Sequence, residues 1–272
     1  MGVRQGHGEA AQRWRCRAVF ISDVHLGQRA AQAHALLDFL RHVEAEVYYL
    51  VGDIVDFWKV RRGPHWPQAH NDVLQKLLRK VRKGARIVLI PGNHDECLRE
   101  YCGLTFGGIE IRREALHTTA AGKRYVVLHG DEFDVVVRYA RWLAFLGDRS
   151  YEVALSANAP LNWTRRRLGL GYWSLSAFLK ARVKTAVSFI GEFEEALSEV
   201  ARRRSADGVI CGHIHHAADR RIGAVHYLNC GDWVESCTAL VETAAGELRI
   251  VRWLDEMRAR ELPLATGIEA AA

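Results

Sequence analysis

Ile87-Val88-Leu89-Ile90-Pro91-Gly92-Asn93-His94-Asp95 joins a wholly apolar run, through Pro-Gly, to three polar side chains. The apolar part reads as a strand buried on both faces, as in a sheet covered on both sides. Burial explains the Ile, Val and Leu. It does not explain Asn, His and Asp at the end of the run. Working outward, the same joint recurs four times. Ala18-Val19-Phe20-Ile21 leads to Asp23-Val24-His25, and Val47-Tyr48-Tyr49-Leu50-Val51 leads to Gly52-Asp53. Tyr125-Val126-Val127-Leu128 leads to His129-Gly130-Asp131, and Val209-Ile210-Cys211 leads to Gly212-His213-Ile214-His215. Strands of one sheet bring distant residues to a common edge, and open α/β sheets bind ligands beyond the carboxyl ends of their strands.

Between these joints the hydrophobic period changes to that of helices. One helix is expected near Ala30 to Val43, with Leu36, Leu37 and Leu40 on one face. A second is expected near Gln68 to Arg82, with Val73, Leu74, Leu77, Leu78 and Val81 as its stripe and Gly84 as its stop. Phe57 to Pro67 reads as a loop. The alternation predicts a parallel or mixed sheet with helices outside. Short strands are expected near 109–112 and 115–119. Residues 134–204 read as two or three helices without a strand, and strands return near 207–211, 224–228, 236–242 and 247–253. The organisation expected is a disordered basic leader at 1–16, one domain at 17–256 with a helical insertion at 134–204, and a flexible tail at 257–272.

The 272 residues suffice for one large core or a core with an insertion. Hydrophobic residues make up 49% and charged residues 26%, the composition of a folded globular chain. The net charge of +6, from 38 basic and 32 acidic residues, suits an anionic substrate or membrane surface and is too diffuse to argue for nucleic acid. Six cysteines form no CxxC pair, and no secretory signal or membrane-spanning run is found. The expectation is therefore reduced thiols in a cytoplasmic protein.

Asp and His supply oxygen and imidazole donors suited to manganese, iron or zinc. Asp23 and His25 stand two apart, as do His213 and His215, so each pair can point at one region. A carboxylate such as Asp53 has two oxygens and can bridge two ions; Asn93 and His129 could complete a second shell. Two adjacent cations would clamp a phosphoryl group and lower the pKa of a water between them. Any one fragment alone reads as a turn or cap, but five in order at strand ends do not assemble by chance.

The fragments D-x-H, GD, GNHD, HGD and GHIH resemble the five signatures of calcineurin-like metallophosphoesterases, from Val19 to about Val251. That resemblance implies a four-layer α/β/β/α sandwich with a helical cap insertion. It implies one metal on Asp23, His25, Asp53 and His215 and another on Asp53, Asn93, His129 and His213. Two divalent ions follow, manganese first, with iron or zinc as alternatives. It also implies that His94 is the catalytic histidine, with Asp95 either orienting it or capping the next helix. More narrowly, Asp53-Ile54-Val55-Asp56-Phe57-Trp58 and Gly231-Asp232-Trp233 are similar to segments of bacterial UDP-2,3-diacylglucosamine diphosphatases. Those enzymes cleave a lipid-linked nucleotide to UMP and a lipid phosphate at the cytoplasmic face of the inner membrane. The family's third motif is GNRD, whereas this chain carries His94, the residue of general phosphodiesterases and phosphomonoesterases, which stand as the alternative. Trp58, Arg138, Arg141, Trp142, Arg165 and Arg166 are the substrate contacts this resemblance suggests. The aromatic and basic insertion suits a lipid tail and an anionic membrane surface; nucleic acid is not the expected partner.

Overall fold

The computed structural model describes residues 14–63, 65–133, 167–168 and 190–261. The first strand, β1, spans Trp14–Ile21 and alternates strictly in what it faces. Val19 and Ile21 enter one apolar cluster, while Ala18 and Phe20 enter another. A strand with no exposed face must lie in a sheet covered on both sides. Two further strands, β2 (Val43–Val51) and β3 (Arg86–Ile90), pair parallel in the order β1-β2-β3. The helices α1 (Ala33–His42) and α3 (Gln68–Arg82) make the crossovers. Both lay apolar stripes on the outer face, with Leu36, Phe39 and Leu40 from α1 and Val73 and Leu77 from α3.

The hairpin β4 (Thr105–Phe106) and β5 (Ile109–Ile111) extends this sheet beyond β3. On the other side, β11 (Thr238–Glu242) and β12 (Leu248–Arg252) close it as a seven-stranded sheet of order β12-β11-β1-β2-β3-β5-β4. A second sheet has five strands in the order β6-β7-β8-β10-β9: β6 (Ala115–Thr118), β7 (Arg124–Val127), β8 (Gly208–Cys211), β9 (Ala218–Ile222) and β10 (Val225–Asn229). The sheets share a core of Phe20, Tyr49, Val88, Tyr125, Ile210 and Leu240. A helix over 190–203, α4, covers the outer face of the second sheet through Phe193, Leu197 and Ala201. These are the four layers expected: helix, sheet, sheet, helix.

The structure departs from the sequence reading at the ends. β1 begins at Trp14, inside the stretch expected to be a disordered leader, because Trp14 packs edge-on against Trp253 with ring centroids 5.9 Å apart. The expected flexible tail starts too early: α5 spans Trp253–Glu261, and Trp253 donates its indole N–H to Asp38 of α1 at 3.0 Å. A single helical turn, α2 (Phe57–Val60), interrupts the expected loop, with Asp56 accepting from Lys59 N at its start. The strand β9 and the two-residue β4 were missed; they are short, and their exposed positions leave no apolar alternation to read. Of the helical insertion, only 167–168 and 190–204 fall within the described residues.

One polar network ties the two sheets together. Buried Glu242 of β11 accepts from His117 of β6 at 2.8 Å, from Arg17 at 3.1 Å and from Ala120 N at 2.8 Å, while Tyr49 Oη lies 3.3 Å from His117 Nδ1. Burial lowers the His117 pKa by more than the Glu242 carboxylate raises it. Folding therefore disfavours the proton on His117, and the stability contributed is full above the unfolded value near 6.5 and is lost as the pH falls through the folded value. His117→Ala is expected to cost roughly 1–3 kcal/mol at pH 7.5, because Glu242 loses a buried donor. The melting-temperature gap to the wild type should narrow below about pH 6.5; a gap unchanged down to pH 5 contradicts this.

Candidate metal centre

The five polar stretches emerge at adjacent strand ends and are laced together by backbone bonds. Asp23 N donates to Gly52 O at 3.1 Å, and Val24 N and His25 N both donate to Asp53 O, at 3.0 and 2.9 Å. Gly212 N donates to His129 O at 3.1 Å, which joins the two loops of the second sheet. The lacing imposes unusual backbone. Asp23, His25, Asp53, His213 and His215 all have positive φ, between 52° and 72°. That region is unfavourable for residues carrying a Cβ and is concentrated at functional sites.

The side chains converge. Ligand atoms of Asp23, His25 and His215 lie within 4.8 Å of one another, as do those of Asp53, His129 and His213, and of His25, Asp53 and His94. His215 Nε2 is 3.0 Å from Asp23 Oδ1, and Asp53 faces His129 at 3.6 Å with one oxygen and His25 at 3.7 Å with the other. Asp53 thus belongs to two of the three groups and faces His25 of the remaining one.

Buried donor atoms without hydrogen bonds identify what this centre is built for. Asp23 Oδ1, Asn93 Oδ1 and His129 Nε2 are all buried and have no hydrogen-bond partner. Such atoms are costly in a folded protein unless something else satisfies them. His129 shows the design: its Nδ1 lies 2.9 Å from Val51 O, which anchors the ring with Nε2 aimed inward. An all-N/O donor set of imidazoles, carboxylates and one amide fits divalent cations.

Two glycines make room for these ligands. A Cβ on Gly92 would lie 2.4 Å from Asp53 Oδ1 and 2.5 Å from His129 Nε2; one on Gly52 would lie 2.1 Å from His129 Nδ1. The side chains of the site occupy the volume that a side chain at either glycine would need.

Electrostatics agree with a centre made for positive charge. Burial would raise the Asp23 carboxyl, but His215 and His25 hold it well below the usual range. Asp53, also buried, is held at about 2, mainly by His129. Burial opposes charge on His25, yet Asp23, Asp56 and Asp53 raise it to about 9; His129, fully enclosed, is raised to about 10 chiefly by Asp53. Without a cation, protons supply the balancing charge.

His94 borders the cluster, its Nε2 3.9 Å from Asp53 Oδ2. The expected partnership with Asp95 is not what the structure shows. The Asp95 carboxylate accepts from Gly92 N at 2.6 Å, Ile54 N at 2.8 Å, Asp53 N at 3.3 Å and Val55 N at 3.4 Å, and it makes no side-chain cap of the following turn. It staples the GD loop to the GNHD loop. The carboxylate beside His94 is Asp56, with Oδ2 2.9 Å from His94 Nδ1 and 3.6 Å from His25 Nδ1. Gln28 also bonds Asp56. Burial would raise Asp56, but His25, His94 and Gln28 hold it far below the usual carboxylate range. The spacing of Asp56, three after Asp53, was visible in sequence, but nothing local connects it to His94, 38 positions on.

Trp58 lies over His94 with ring centroids 4.2 Å apart and remains 43% exposed, so it forms part of the rim. The other suggested substrate contacts, Arg138, Arg141, Trp142, Arg165 and Arg166, lie outside the described residues. Gly231-Asp232-Trp233 serves as support. Asp232 accepts three backbone amides of its own turn, and buried Trp233 donates its backbone N–H to Asp23 O at 3.0 Å while its ring packs on Phe39. A cleft of about 410 Å³ is walled by Arg99, Arg113, His129, Asp131 and Phe133; Arg99 and Asp131 pair at 2.5 Å.

The family model of the calcineurin-like phosphoesterases matches residues 16–217. The chain belongs to this family. It is a metal-dependent phosphoesterase, and the buried Asp–His centre is where such a protein can hold divalent ions. Curated relatives of this phosphoesterase are named UDP-2,3-diacylglucosamine hydrolase. One from Porphyromonas gingivalis is 30% identical over 43% of this chain and 47% of its own length, so that match spans about half of the relative. One from Neisseria meningitidis is 26% identical over 79% of this chain and 89% of its own. A third, from Vibrio cholerae, is 24% identical over 82% and 93%. A solved phosphoesterase from E. coli aligns with 86% of this chain and 98% of its own at 13% identity and a TM-score of 0.43, too loose a likeness to inform the chemistry.

Gly92→Ala is expected to abolish metal loading, since its methyl would displace Asp53 and His129 together. Metal content after dialysis against Mn²⁺ checks this. Gly191→Ala, where no atom lies within 4 Å of the added Cβ, should load normally.

Proposed function

We propose that this phosphoesterase cleaves the diphosphate of UDP-2,3-diacylglucosamine or a related lipid-linked nucleotide, releasing UMP and a lipid phosphate. The observation that carries the catalytic part is the chain of three overlapping ligand triads from Asp23 to His213, two of which contain Asp53. The relatives' names support the substrate. Asp23, His25, Asp53 and His215 would hold one divalent cation; Asp53, Asn93, His129 and His213 would hold the second, manganese being the first candidate. Once bound, such a pair supplies positive charge to phosphoryl oxygens and a water of lowered pKa.

The chain's own residues do the rest. Asp56, 2.9 Å from His94 Nδ1, positions the ring. His94 then presents Nε2 to the phosphoryl group, where it stabilises developing charge or delivers a proton to the leaving oxygen. Trp58, tilted over His94, limits the ring's rotation and offers an apolar rim to the substrate. A second reading, a general phosphodiesterase or phosphomonoesterase, is favoured by one residue: His94 stands where the diphosphatase signature has Arg.

The deciding assay is incubation of the Mn²⁺-loaded protein with UDP-2,3-diacylglucosamine. UMP release is expected; good turnover of aryl phosphate esters with no UMP selects the second reading. Asp53→Ala should lose both ions and all turnover, as read by metal analysis, and one retained ion would show that the carboxylate is not shared. His94→Ala should keep its metals and lose roughly 10²–10⁴-fold in rate. Asp56→Asn should lose rate as well, and the double variant should fall little below His94→Ala, because the two act as a unit.

A further inference from the structure

Four large apolar side chains gather at the outer edge of the seven-stranded sheet: Tyr101, Leu104 and Phe106, which are 44%, 53% and 52% exposed, and Leu78 of α3, at 41%. They form one patch. Tyr101 meets Phe106 edge-to-face at 5.8 Å, and a Cβ on Gly107 would lie 3.1 Å from Leu78. Every residue from Gly103 to Gly108 is exposed. The β4–β5 turn is fixed, not loose: Gly107 and Gly108 have φ of 58° and 82°, and a Cβ on Gly108 would fall 2.3 Å from Val81. The hairpin is seated on α3 with its apolar side chains turned outward. An exposed apolar cluster of this kind marks an interaction site.

The charges around it choose the partner. Arg82 is one turn beyond Leu78 on α3, and Arg79 and Lys83 are exposed beside it. On the other flank, Arg86 and Arg112 share Glu110, which pairs across the strands with Thr105 of the hairpin. These five cations outnumber the acids of the same stretch, Glu96, Glu100 and Glu110. Apolar and aromatic tips inside a cationic ring fit an anionic bilayer surface, where the tips enter the headgroup region and the arginines meet lipid phosphates. A second copy pairing along β4 is the poorer occupant, since an edge strand of two residues offers few backbone bonds.

We propose that the β4–β5 hairpin, with Leu78 and its arginines, docks this protein on anionic lipid bilayers. The proposal deepens the lipid-linked reading above but is measured by binding alone.

The test is co-sedimentation of the Mn²⁺-loaded full chain with phosphatidylethanolamine–phosphatidylglycerol vesicles, and with phosphatidylcholine vesicles. Binding to the anionic vesicles, weakened by salt, is expected. The double variant Leu104→Ser/Phe106→Ser should bind at least about tenfold more weakly. It should hydrolyse a soluble aryl phosphate as the wild type does, which reports an intact fold. Leu116→Ser, an exposed leucine on β6, should bind like the wild type. Equal vesicle binding by the double variant overturns the proposal. So does absence of vesicle binding together with a dimer that the double variant abolishes, which assigns the patch to a second copy. Vesicle binding that persists when no UMP is released from the lipid nucleotide upholds the docking surface and removes the substrate.

Discussion

Everything in this molecule answers to one constraint: buried carboxylates and imidazoles held within a few ångströms of each other. Asp23 and Asp53 are both enclosed, and each needs positive charge close by. Imidazolium groups meet that need in the polypeptide alone, which is why His25 and His129 bind protons so strongly. Divalent cations meet it better, because they also satisfy the bare Asp23, Asn93 and His129 atoms that protons leave without partners. The attraction between this cage and a cation is the interaction on which phosphoester chemistry in this fold rests.

The architecture exists to hold that cage still. Two sheets packed face to face bring five loops to one edge, and each loop is tied to another by backbone bonds rather than by the ligands themselves. Asp95 is the clearest instance. It carries a charge beside the centre yet spends its carboxylate on four amides of two loops. Burial and the neighbouring Asp53 raise its pKa, so those amides are what keep a carboxylate tolerable there.

Much of this was legible in the sequence. Apolar runs ending in Asp, His or Asn gave the strand ends, and Asp23, His25, Asp53, His129, His213 and His215, which the structure gathers, follow from that joint because a buried strand has no other use for such residues. The helix over Gln68–Arg82 was readable to the residue, since Leu74, Leu77, Leu78 and Val81 repeat at its period. What escaped depends on contacts between distant segments. Asp56 belongs to His94 only because α2 folds back against the GNHD loop, where Phe57 N bonds His94 O at 3.1 Å. Asp95 looked like an orienting carboxylate because orientation cannot be read from adjacency. Trp14 falls in the expected leader because the partner that orders it, Trp253, lies near the other end of the sequence.

The left-handed backbone at Asp23, His25, Asp53, His213 and His215 has a consequence for how such a protein can change. Each of these angles holds back about 1–3 kcal/mol from the fold. Glycine at any of the five would relax the chain and forfeit a ligand. Selection for thermal robustness alone would therefore erode this cage, and descendants freed from catalysis should drift toward sturdier, inert relatives, beginning at these five positions.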